Sequence, residues 1–118
     1  MSDCVFCMVA RGEIPANVVF ADDLVVAFDD IAPQAPVHTL IIPKTHYADL
    51  SDNVPAEVVC ALTAAVPQVA EIKGIAKTGY RAIINTGNDA GQTVHHLHVH
   101  VMGGRRMAEG LVTFHERA

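Results

Sequence analysis

The sequence predicts an α+β domain: a mainly antiparallel five-stranded sheet with one long helix and a short N-terminal helix. Three observations lead there. Five short runs rich in Val, Ile and Phe are separated by turns carrying Gly, Pro or Asp. One stretch, residues 55–77, repeats apolar residues at helical spacing. Residues 96–102 alternate histidine with an apolar residue, a period of two that a strand sorts onto its two faces.

In chain order, residues 4–11 read as a short helix closed by Gly12. Residues 18–20 form a short strand, residues 21–23 a turn and residues 24–28 a stronger strand. Residues 31–36 hold Pro33 and Pro36 and must be loop. Residues 38–43 form a strand ended by Pro43. The long helical stretch presents Val58, Val59, Leu62, Val66, Val69 and Ile72 on one side. Pro67 predicts a kink there, or a break into two helices, and Gly79 ends the segment. Residues 81–85 form the next strand, residues 86–93 a polar glycine-containing loop, and residues 96–102 the last strand, stopped by Gly103 and Gly104.

The 118 residues suit one domain over 1–118, with a core at 4–106 and a tail at 107–118. The composition is 51% hydrophobic, enough to fill a core without disulfides. No apolar run reaches the roughly 18 residues of a membrane span. Residues 1–7 lack the basic and apolar regions of a secretory signal, so the expected location is the cytoplasm, where thiols stay reduced. A net charge of −5 argues against nucleic acid as partner, though not against a small anion in a locally donor-rich pocket.

The last strand is the most informative. If it is extended, Leu97, Val99 and Val101 face the core, and His96, His98 and His100 face the other way at intervals of about 6.6 Å. Three readings compete: solvent-facing polar residues, a metal site, or nucleophilic catalysis centred on His98. The outer pair spans about 13 Å, too far for one ion with Zn–N bonds of about 2 Å to hold all three. Two rings with help from another segment remain open. Flanking imidazoles that orient a central one suit nucleophilic catalysis. The loop from Thr86 to Thr93 can bring backbone N–H groups close to a phosphate. His38 opens a strand that can lie beside the histidine strand.

The segment His96-Leu97-His98-Val99-His100-Val101-Met102 matches the motif His-φ-His-φ-His-φ-φ, where φ is apolar, and with it the sequence resembles the histidine triad (HIT) superfamily, specifically its Hint-like nucleoside phosphoramidase branch. Cys4 to Cys7, Gly12 to Ala16, Ala27 to Pro36, Leu40 to His46, Gly91 to Val94 and Gly103 to Arg105 also look like family segments, so the likeness spreads over residues 4–106. The resemblance implies that His98 attacks the α-phosphorus and forms a nucleotidyl-histidine intermediate. His100 and His38 would flank the phosphate and assist proton transfer, and His96 would hold the hydrogen-bond network. Asn85, Gly91, Gln92 and Thr93 would meet the phosphate, and Asp30 the ribose hydroxyls. Phe6, Val9, Phe28 and Ile31 would line the base pocket. It also implies a homodimer with two sheets joined edge to edge, and a mechanism requiring no metal. A neutral imidazole is a fair nucleophile toward phosphorus, and donors on the non-bridging oxygens stabilise the developing charge.

Cys4-x-x-Cys7 is half a zinc site. The resemblance supplies His46 and His96 as its completion, a closed structural Cys₂His₂ site; the alternative is two reduced cysteines in a short helix. His95 is expected to face away from His96, Cys60 to be a core thiol and His115 to be solvated. The chain departs from the branch at its end, which has no Trp and reads Met107-Ala108-Glu109-Gly110-Leu111 onward. The leading function is hydrolysis of purine nucleoside phosphoramidates or related AMP esters. The alternatives are cleavage of dinucleoside polyphosphates and a non-catalytic nucleotide- or zinc-binding adaptor.

Overall fold

The computed structural model describes residues 4–115; the ends of the expected domain, residues 1–3 and 116–118, lie outside the described residues. The element order is α1 (Val5–Ala10), β1 (Val18–Ala21), β2 (Val25–Asp29), β3 (Val37–Pro43), α2 (Ala56–Ile72), β4 (Tyr80–Ile84), a 3₁₀ turn (Asn88–Ala90) and β5 (Val99–Gly103). The five strands form one antiparallel sheet in the order β1-β2-β3-β5-β4. The last strand therefore inserts between β3 and β4, with Leu40 opposite His100 on one side and Ile83 opposite His100 on the other.

The alternation of each strand sorts the core into two clusters. Val25, Ala27, Ile41, Leu97, Val99 and Val101 pack with the inner side of α2: Val58, Leu62, Ala65, Val66, Val69 and Ala70. Val26, Phe28, Leu40 and Ile42 face the other way and pack against Phe6 and Val9 of α1. The sheet is thus covered by α2 on one face, except at edge strand β4, and partly by α1 on the other. The uncovered part of the second face is where the site forms.

Both helices end in the left-handed turn that glycine tolerates best. Gly12, at φ +72°, follows α1, and its N–H and that of Glu13 bond back to Val9 and Met8. Gly74, at φ +76°, follows α2 in the same way, with the N–H of Ile75 bonded to Ala70. This turn stops α2 at Ile72, short of the expected end near Lys77, so Gly74 and not Gly79 terminates it. Ile75 is then buried against the end of β5.

Other expectations need correction. Helix α2 is continuous through Pro67. Both Pro67 and Thr63, whose carbonyl loses its donor, lie on the exposed side of α2, where water can serve instead. Cys60 is exposed, not a core thiol, because it falls off the inward stripe. Ile72 is also exposed, and Ala65 and Ala70 fill the inner side. The regular strand begins at Val99, not His96. The Leu97 N–H bonds to the Tyr47 carbonyl at 2.7 Å, so this part of the chain pairs with the segment after β3 rather than with the strand ladder. The side-chain alternation nevertheless persists from Leu97 through Val101. Among the described residues, no helix is long and apolar enough to cross a membrane.

On the α2 face, Asp29 ties three elements together. Its carboxylate accepts from Thr39 Oγ1 at 2.9 Å, Lys73 Nζ at 2.9 Å and Asn17 Nδ2 at 2.6 Å. Partial burial opposes its charge, but these hydrogen bonds and the Lys73 ammonium outweigh burial and hold its pKa below the ordinary carboxylate value. Since the folded state favours the charged form, this contribution is complete above the unfolded pKa and is lost as pH falls through the folded one. Thr39 is fully buried, so Asp29→Ala leaves its hydroxyl without an acceptor. The expected cost is about 1–3 kcal/mol, read by urea denaturation, with Asp29→Asn costing less. Equal stability of Asp29→Ala and wild type would show that the network contributes nothing.

Candidate active site

The open end of the second sheet face holds a cavity of about 430 Å³. Its walls come from α1 and the following turn (Val5, Phe6, Val9, Ile14, Pro15, Ala16), from the β2–β3 region (Phe28, Asp30, Ile31, Gln34, Leu40) and from the last loop and strand (Thr93, Val94, His98, His100). One end is apolar, and the other is lined by imidazoles and a carboxylate. Ile31 is 98% exposed and sits at the rim.

The histidines do not share one role. The rings of His96 and His98 are buried and that of His100 is half-buried, so the solvent-facing reading fails. Their hydrogen bonds assign their protons. His98 Nδ1 lies 2.7 Å from the His96 carbonyl oxygen, which can only accept; Nδ1 therefore donates, and Nε2 keeps its lone pair. The Gln34 N–H donates to His38 Nδ1 at 3.1 Å, so the His38 proton sits on Nε2. That Nε2–H donates to His100 Nδ1 at 2.9 Å, which leaves the His100 proton on Nε2. Asp30 closes the row, with Oδ2 3.5 Å from His38 Nε2 and Oδ1 accepting from the Ala32 N–H. The arrangement pairs a lone-pair nitrogen on His98 with an N–H donor on His100, their rings 4.9 Å apart.

The His96 ring turns elsewhere. Its Nε2–H donates to the Pro43 carbonyl at 2.9 Å, leaving Nδ1 bare. That Nδ1 lies 3.4 Å from Cys4 Sγ, 3.5 Å from Cys7 Sγ and 3.2 Å from His46 Nδ1. Cys7 Sγ and His46 Nδ1 are 3.2 Å apart. One ligand atom from each residue of this tetrad lies within 4.8 Å of the others. His95 is exposed and stands outside the tetrad, as does the exposed His115.

The chain matches the family model of the HIT domain over residues 11–107. It belongs to the HIT domain family. The purine nucleoside phosphoramidase of Escherichia coli is 46% identical over 106 residues, which make up 87% of this chain and 88% of that protein. Among solved structures, a HIT family hydrolase from Clostridium thermocellum superposes with a TM-score of 0.90 at 43% identity, covering 95% of this chain and 99% of that one. A HIT family hydrolase from Legionella pneumophila gives 0.86 at 43% identity, covering 91% and 97%.

Within this HIT protein, Phe6, Val9, Phe28, Asp30, Ile31, Thr93, His98 and His100 come together around one cavity, and His38 joins through His100. Asn85, Gly91 and Gln92 do not line it. Continuing the register past Ile84 opposite Val99 puts Asn85 abreast of His98. Gly91, at φ +81°, ends the 3₁₀ turn. Gln92 is buried inside its own loop: Oε1 accepts from the Gly87 N–H, and Nε2 donates to the Ala48 and Val94 carbonyls. It holds the loop rather than facing the cavity. Sequence reading missed Val5, Ile14 and Leu40 as walls. Leu40 could have been found from its parity with His38, two residues away on one strand.

Burial, reinforced by the neighbouring His98 and His38, lowers the His100 pKa to about 4 despite the opposing pull of Asp30. Burial likewise lowers that of His96, against its hydrogen bond to Pro43. Near neutrality the His100 ring is uncharged, an N–H donor and not a store of acid. Because folding lowers this pKa from about 6.5, the resulting destabilisation is absent above that pH and grows as pH falls toward 4. The His100 Cε1–H resonance is expected to titrate with a midpoint near 4. A midpoint at the ordinary imidazole value would contradict the burial of the ring among its neighbouring imidazoles.

Proposed function

We propose that this HIT protein is a nucleotide hydrolase that acts on purine nucleoside phosphoramidates or related AMP esters through a nucleotidyl intermediate on His98. One observation carries the reading: His98 donates from Nδ1 to the His96 carbonyl, so its Nε2 lone pair is left for the cavity it shares with His100. In the proposed pose the base lies among Phe6, Val9, Phe28 and Ile31, and Asp30 accepts from the ribose. His98 Nε2 attacks the α-phosphorus while the His100 Nε2–H and the Thr93 hydroxyl donate to non-bridging oxygens. These donors stabilise charge that grows in the transition state. The P–N bond breaks, its electron pair leaves with the amine, and the amine takes up a proton at the open mouth of the pocket. Water then attacks phosphorus and the His98 Nε2–P bond breaks, returning its electron pair to His98. AMP keeps the new hydroxyl, and the other water proton passes to solvent, so the covalent step splits one displacement into two. The likeness to the Escherichia coli phosphoramidase favours this substrate class.

The tetrad fits a structural zinc ion. Tetrahedral Zn–S bonds of about 2.3 Å and Zn–N bonds of about 2.0 Å set ligand atoms about 3.3–3.8 Å apart, close to the 3.2–3.5 Å separations here. The two thiolates and two Nδ1 atoms would hold it as a closed site, supplying cross-linking and no open position for chemistry.

A homodimer belongs to the same proposal. Helix α2 packs on β1, β2, β3 and β5, while on edge strand β4 Tyr80, Ala82 and Ile84 remain exposed. These face the same way as Val99 and Val101, their partners or near partners across the ladder. An apolar edge of this kind is protected by pairing with a second copy. Wild type is expected to sediment as a dimer and Ile84→Glu as a monomer; a monomeric wild type would exclude the paired edge.

The catalytic reading is tested by turnover of adenosine 5′-phosphoramidate. Wild type is expected to release AMP, and His98→Ala to lose at least about a thousandfold in kcat. Full activity in His98→Ala would refute the nucleophile. If wild type is inactive, dinucleoside polyphosphates come next, and failure on those leaves the adaptor reading.

A further inference from the structure

We propose that the tetrad docks α1 as a wall of the nucleotide pocket, so that metal on the tetrad and nucleotide in the pocket strengthen each other's binding. The inference rests on the zinc and nucleotide readings above and adds a coupling between the two sites.

Helix α1 has six residues, too few to persist without tertiary contacts. It forms its own wall of the pocket through Val5, Phe6 and Val9. Cys4 caps its N-terminus, with Sγ accepting from the Cys7 N–H, and Cys7 lies one turn later. Cys7 Sγ reaches both His46, from the segment after β3, and His96, from the segment before β5, and Cys4 Sγ reaches His96. An ion held by all four residues would tie α1 to both segments at once.

Two physical links run from the tetrad to the reacting end of the pocket. The first is His96 itself: its ring carries one tetrad atom, and its carbonyl accepts the His98 Nδ1–H at 2.7 Å. The second is Phe6, between the two cysteines in sequence. Its ring lies edge-on to His98 at 5.2 Å, to Phe28 at 5.5 Å and to His96 at 5.9 Å. Shifting α1 moves a wall of the base pocket and the ring against the nucleophile together. A nucleotide that packs on Phe6 and Val9 favours docked α1, and so does a metal ion on Cys4 and Cys7. Two ligands that favour one state help each other by equal factors.

The test uses the full chain with zinc and AMP as probes. The AMP dissociation constant is measured by calorimetry on zinc-loaded protein and on the same protein stripped by chelator. Zinc affinity is measured with and without saturating AMP, and hydrogen exchange is followed over residues 5–10. Removing zinc is expected to weaken AMP roughly tenfold, and AMP to tighten zinc by the same factor. Exchange should accelerate in α1 while β3 and β5 stay protected. Cys4→Ser with Cys7→Ser should behave like the stripped protein. Stoichiometric zinc with the same AMP affinity in both states overturns the coupling and leaves the hydrolase reading intact. Loss of protection across the whole sheet overturns it too, since the tetrad would then hold the entire fold and not one wall. Zinc-loaded protein that fails to bind AMP overturns the coupling and the nucleotide reading together.

Discussion

The burial of Leu97, Val99 and Val101 beneath α2 is the constraint on which the rest of the molecule depends. In an extended chain, successive side chains oppose one another. Committing three apolar residues to one face therefore commits His96, His98 and His100 to the other. A slip of one residue would put imidazoles under α2 and leucine and valine in the pocket. Because β5 lies between β3 and β4, it is held on both edges, and the position of His100 is fixed by two ladders. The polar site is in this sense a by-product of how the apolar face packs.

On the far side of that packing, hydrogen bonds do what hydrophobic burial cannot: they choose protons. A backbone carbonyl fixes the tautomer of His98, and a backbone N–H fixes that of His38. The His38 choice passes to His100 through a ring-to-ring bond. Burial then keeps His100 uncharged, so the row stays a set of directed donors and acceptors instead of a cluster of repelling cations. A buried polar network of this kind rigidifies only when each member is satisfied. Among the described residues, no buried side-chain polar atom lacks a partner.

The two faces are braced differently. On the α2 face, Asp29 gathers Thr39, Lys73 and Asn17 and ties the end of the long helix to the sheet. On the α1 face, the short helix contributes Phe6 and Val9, with Ala10 packed beside them, to a smaller apolar cluster, and Cys4 and Cys7 attach it to His46 and His96. Apolar packing thus secures the scaffold, while the pocket wall adds sulfur contacts to a smaller apolar seat.

The fold class, the five strands, the two helices and the inward side of α2 were legible in the sequence, because local patterning and glycine stops encode them directly. So was the triad, since a His-x-His-x-His run has few uses on a buried strand. It was the family resemblance that placed the His96 ring with Cys4, Cys7 and His46; the sequence pattern did not itself show that contact across more than eighty residues. Nor did it show that Gln92 braces its loop instead of facing the cavity, that Cys60 is exposed or that α2 stops at Gly74. Each of these depends on which partner a side chain meets after the chain has closed. The sequence by itself determined the alternation that turns Leu97, Val99 and Val101 inward and which chemistry is available. Only the tertiary structure decided which nitrogen keeps its lone pair, because that follows from the particular carbonyl or N–H that folding brings within 3 Å of it.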